Sequence, residues 1–124
     1  MKYNTLLTLA AIYLGLVGLG LLFAPVAMEM GLLSGPAAVL DELRGYGGTL
    51  IGIAVINFFS RNSESSKAKN AVFLGNTFGF GLVTITGIIQ QTHGAPKVGW
   101  LFAVIHAAFA VSFFIAGRAS MAKN

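Results

Sequence analysis

A chain of 124 residues that is 56% hydrophobic and only 10% charged, with a mean hydropathy of +0.79, lacks the polar side chains needed to cover a soluble domain of its size. With no cysteine, disulfide scaffolds, thiol relays, cysteine-ligated zinc and covalently attached c-type haem are excluded. The net charge of +4 comes from eight basic against four acidic residues, and no Lys/Arg cluster interleaved with stacking aromatics is present, so no nucleic-acid partner is expected.

The setting is therefore a membrane. About 20 apolar residues in a helix cross roughly 30 Å of hydrocarbon. Four segments qualify, at about 5–23, 37–59, 71–89 and 98–116. Helices are preferred over barrel strands because backbone groups in lipid must be satisfied within the segment and because no alternation of polarity is present. The expected fold is all-α, a single integral membrane four-helix bundle running up-down-up-down.

The first span, Thr5 to Phe23, contains Tyr13 near its middle and is followed by Ala24-Pro25 and a short segment to Leu33 that suits the interface. A cleaved signal peptide is the competing reading, since Lys2 precedes the apolar run. The run is too long for an h-region and Pro25 spoils the small-x-small cleavage pattern. Pro36 then suits the first turn of the second helix.

On the second span Asp41 and Arg44 lie three apart, and 41, 44, 48 and 52 follow helical spacing. The ion pair thus shares a face with Gly48 and Gly52. A carboxylate beside a guanidinium either fixes the outer mouth of the bundle or anchors a lipid phosphate, an anionic substrate or a partner loop. The third span carries a second GxxxG pair, Gly75 and Gly79. Small residues four apart allow close backbone approach in lipid, either inside the bundle or between copies of the chain. Asn57 and Asn76 fall at comparable depth on neighbouring spans and suit an interhelical amide pair.

Thr92 to Lys97, with Gly94 and Pro96, reads as a tight turn into the fourth span. His106 lies roughly 12 Å along that helix. On this span Gly99, Ala103, Ala107 or Ala110 and Gly117 trace a small-residue face, and Gly99, Ala103 and Ala110 share the face of His106, which points it at protein. Tyr13, Thr84 and His106 fall at similar depth and form the candidate binding site. The plain reading is a histidine bonded to a carbonyl or to Thr84; the sharper ones are proton transfer or axial ligation of a haem or chlorin. Bis-histidine ligation would need a second protomer, since His93 lies in the outer turn. No metal site is indicated, no cofactor is specified, and whether the chain is an enzyme is left open. The phenylalanines clustered toward one half, including Phe58, Phe59, Phe73, Phe78, Phe113 and Phe114, serve either as lipid-facing bulk or as a pocket lining. Expected partners are membrane lipid, a second copy, or a larger membrane complex.

With four spans, Lys2, Arg61, Lys67, Lys69, Arg118 and Lys123 fall on one side and Arg44 and Lys97 on the other. That asymmetry places both termini in the cytoplasm.

The motifs Phe23-Ala24-Pro25, Leu43-Arg44-Gly45-Tyr46-Gly47-Gly48, Asn57-Phe58-Phe59-Ser60-Arg61 and Gly99-Trp100 occur in an order that resembles uncharacterised small bacterial inner-membrane proteins. These are grouped as domains of unknown function near the DoxX-like proteins. The resemblance implies the fold and an inner-membrane location, and no activity. Small multidrug exporters have a glutamate in their first helix, where this chain has none. Fluoride channels have a threonine-rich break in the third helix that is also missing here.

Overall fold

The computed structural model describes residues 3–23, 37–64, 67–95 and 97–121, with side chains in those ranges except at 37–42 and 121. Four helices form: α1 (Tyr3–Leu22), α2 (Ala37–Ser60), α3 (Lys67–Thr92) and α4 (Val98–Met121), with no strand among the described residues. They associate as two pairs, α1 with α2 and α3 with α4.

Length and apolarity explain most of this. Among the described residues, three helices, α1, α3 and α4, are long and apolar enough to cross a membrane. The expected equivalence of α2 is not met on that measure. Arg44, Tyr46, Thr49 and three glycines, Gly45, Gly47 and Gly48, precede the apolar run that begins at Leu50 and dilute it. Helix α3 also outruns its expected span at both ends, from Lys67 to Thr92, because the helical bonding continues into polar residues that suit the interface. Its 26 residues reach about 39 Å, beyond the roughly 30 Å of hydrocarbon.

In the first pair, Leu6, Leu7, Ala10, Ala11, Leu14 and Gly18 of α1 are buried. They recur at helical spacing and make one stripe. The opposite side is equally apolar but exposed, through Leu9, Ile12, Leu16 and Leu19. Helix α2 runs antiparallel to this stripe, since Gly18 meets Gly47 and Ile51 while Gly15 meets Ala54. The tightest point is Gly18 against Gly47. A Cβ on Gly47 would lie 2.6 Å from the Gly18 carbonyl oxygen and 2.8 Å from the Leu22 nitrogen. One on Gly18 would lie 2.8 Å from the Gly47 oxygen. The two backbones touch here, and only residues without a side chain permit it.

The second pair is a ladder of contacts. From the turn outward, Gln91 covers Gly99, Gly87 packs on Ala103, Phe80 meets His106 and Phe109, and Phe73 meets Phe113 and Gly117. At the far end the Ser120 hydroxyl donates to Asn70 Oδ1 at 3.0 Å. Phe80 stacks on Phe109 with ring centres 4.8 Å apart and on Phe113 at 5.9 Å. Phe73 and Phe113 are fully buried. The expected tight turn ends α3 in a Schellman motif. Gly94 adopts φ 85°, its N–H donates to the Gln91 carbonyl, and the Ala95 N–H donates to that of Gln90.

Candidate functional site

Of the residues singled out in the sequence, Thr84 and His106 belong to the second pair, and each meets Phe80, Thr84 at its carbonyl and His106 at its ring. The Thr84 hydroxyl donates to the Phe80 carbonyl at 2.8 Å, along its own helix. The half-buried His106 imidazole lies 5.7 Å from the Phe80 ring and hydrogen-bonds the Phe102 carbonyl one turn back. Both polar groups thus have a bond on their own helix. Tyr13 is half-buried on α1 and belongs to the first pair.

The other polar residues behave similarly. The Asn76 amide donates to the Val72 carbonyl at 2.8 Å, and the Thr77 hydroxyl to that of Phe73 at 2.8 Å. Asn57, on α2, is completely buried and is also partnered. No buried side-chain nitrogen or oxygen among the described residues lacks a hydrogen bond. Lys69, unusual in being buried, directs its ammonium to the Ser63 carbonyl at 2.7 Å and so ties the preceding loop to α3. Arg44 is exposed on α2, and the side chain of Asp41 lies outside the described residues.

The glycine motifs divide differently from their spacing. Within its own pair, a Cβ at Gly48, Gly52, Gly75 or Gly79 meets no atom within 4 Å. The close approach instead uses Gly18 and Gly47, which the sequence pattern did not isolate. In the second pair it uses Gly117, a member of the small-residue face expected on α4, whose added Cβ would lie 3.2 Å from that of Phe73. A signal for Gly18 was present in Gly15, Gly18 and Gly20, but a one-helix pattern does not say which glycine faces a neighbour.

The phenylalanines split into two sets. Phe73, Phe80 and Phe113 form a buried stack, whereas Phe58, Phe59, Phe78 and Phe114 are exposed. Among the described residues, no three His, Asp or Glu side chains come together in a way that would hold a metal ion. The geometry offers structural hydrogen bonds inside the helices, aromatic packing between α3 and α4, and a broad apolar exterior.

No protein-family model, no curated protein and no solved structure matches the chain.

Proposed function

We propose that the chain is a small four-span integral membrane protein that binds lipid or partner helices. It would act as a homo-oligomer or as an accessory subunit of a larger membrane complex, with both termini in the cytoplasm. In this reading α2 crosses the membrane with the three more apolar helices, and Arg44 and Tyr46 sit at its interfacial end. A bacterial inner membrane and the DoxX-like vicinity belong to the same proposal and rest on the motif resemblance.

One observation supports it most. The membrane-length helices leave their apolar side chains outward, while the polar ones inside them have bonds on their own backbones. Such an exterior needs hydrocarbon or other helices against it. The open glycines Gly48, Gly52, Gly75 and Gly79 add flat ground for a close-packed partner. The test is a native gel of the detergent-extracted protein carrying Gly48→Leu and Gly52→Leu. Loss of a higher-order species supports the reading, and an unchanged pattern with both replacements removes its partner-helix part.

A second reading is an enzyme or binding protein for a hydrophobic small molecule, whether lipid, quinone or pigment, centred on His106. It draws on the half-buried imidazole beside the Phe80, Phe109 and Phe113 stack. Mass spectrometry of molecules retained by wild type and His106→Ala separates the two. A retained molecule lost in the variant favours the second reading.

A further inference from the structure

Arg118 lies in the last turn of α4 and is exposed. Its guanidinium carbon lies 5.8 Å from the centre of the Phe114 ring, one turn back. Phe114 is 52% exposed, between exposed Val111 and Ile115. No hydrogen bond or ion pair occupies the guanidinium among the described residues. Arg118 therefore stands where the apolar exterior of α4 ends, with its N–H donors unengaged by the described residues.

The contact ladder brings the start of α3 to the same end, through the Ser120–Asn70 bond. That start is Lys67, also exposed. Glu64 is the one acid in residues 62–124. The amino end of α3 adds the positive pole of its dipole. The first pair makes an instructive contrast. Arg61 stacks over Phe58 at 3.4 Å, but donates to the Phe58 carbonyl and so closes its own helix end. Arg118 keeps the stack without the carbonyl bond.

We propose that Arg118, with Lys67, binds the phosphate of an anionic phospholipid whose acyl chains lie along Val111, Phe114 and Ile115. This rests on the membrane reading above. A guanidinium is planar, weakly hydrated and able to engage two phosphate oxygens at once, while the ammonium of Lys67 contributes a point charge. The donors are continuous with an apolar face, so a ligand that joins phosphate to hydrocarbon satisfies both. A free phosphate gains only an exposed, salt-screened charge contact.

The full chain in detergent is titrated with dioleoyl phosphatidylglycerol, dioleoyl phosphatidylcholine or inorganic phosphate and read by native mass spectrometry. Phosphatidylglycerol is retained in preference to phosphatidylcholine. Arg118→Gln and Lys67→Gln each lower its retention about fivefold, Arg118→Lys restores part of it, and Lys97→Gln at the opposite end leaves it unchanged. Circular dichroism confirms that each variant keeps its helices. Equal retention by Arg118→Gln and wild type overturns the proposal, as does an equal loss in Lys97→Gln or displacement of the lipid by inorganic phosphate. Flotation with vesicles keeps the two ideas apart. A chain that fails to float removes the membrane reading, and one that floats without preferring the anionic lipid removes only this site.

Discussion

Replacing Gly47 by alanine tests whether backbone contact holds α1 and α2 together. The added methyl would sit 2.6 Å from the Gly18 carbonyl oxygen and 2.8 Å from the Leu22 nitrogen. A close carbon–oxygen approach needs about 3.3 Å, so the helices must separate by about 0.7 Å at that level. Neither obstacle is a side chain that can rotate away. A gap of that size forfeits roughly a quarter to a half of the dispersion energy of the atoms around it. Overpacking of this kind costs about 1–3 kcal/mol. With the weakened seam at Gly15 and Ala54 included, about 2–3 kcal/mol is expected, which is about 30- to 150-fold in the unfolding constant. Gly48→Ala is the control. It meets nothing in its own pair and exchanges a poor helix former for the best, so it is neutral or stabilising by up to about 1 kcal/mol. Reversible unfolding in mixed micelles of increasing dodecyl sulfate content, followed by far-ultraviolet circular dichroism, measures both. Equal stability of Gly47→Ala and wild type, or an equal loss in both variants, would refute the reasoning.

Three further outcomes are expected. Phe73→Ala empties the centre of the α3–α4 stack and lowers stability in the same assay by about 3 kcal/mol, whereas Phe78→Ala, 68% exposed, changes it by less than about 0.5 kcal/mol. Gly94→Ala forces a side chain into φ 85° and costs about 1–2 kcal/mol, read as an earlier unfolding midpoint. Under the lipid or partner-helix reading, His106→Ala leaves assembly on a native gel unchanged, and a lost oligomer in that variant would contradict it.

The positions of α1, α3 and α4 were legible because long apolar runs have few alternatives, and α2 from the shorter run that begins at Leu50. The turn at Gly94 was legible because glycine followed by proline is specific backbone chemistry. Packing was less so. Spacing singled out Gly48 and Gly52, yet the face of α2 that meets α1 runs through Gly47, Ile51 and Ala54. Two adjacent glycines differ by only 100° of helix rotation, and the neighbouring helix decides between them. The phenylalanines show the same limit, since Phe113 is fully buried and the adjacent Phe114 is exposed. Thr84 bonds the Phe80 carbonyl and His106 lies beside the Phe80 ring. Sequence depth did not reveal that their hydrogen bonds run back along their own helices, because a polar side chain in an apolar helix always has its own carbonyls within reach.

The hydrogen bonds that end α3 also bear on how deeply the second pair sits in a bilayer. The carbonyls of Ile89, Gln90 and Gln91 all receive N–H donors from His93, Gly94 and Ala95. An unbonded peptide group in hydrocarbon costs several kcal/mol. Because these groups are already bonded, this part of the hairpin's main chain adds little resistance to sinking. Under the four-span reading, the brake is instead the polar side chains of His93 and Lys97 in and after the turn. Under that reading, vertical position is adjustable by point substitution at the turn, and removing the Lys97 charge would let the turn settle inward.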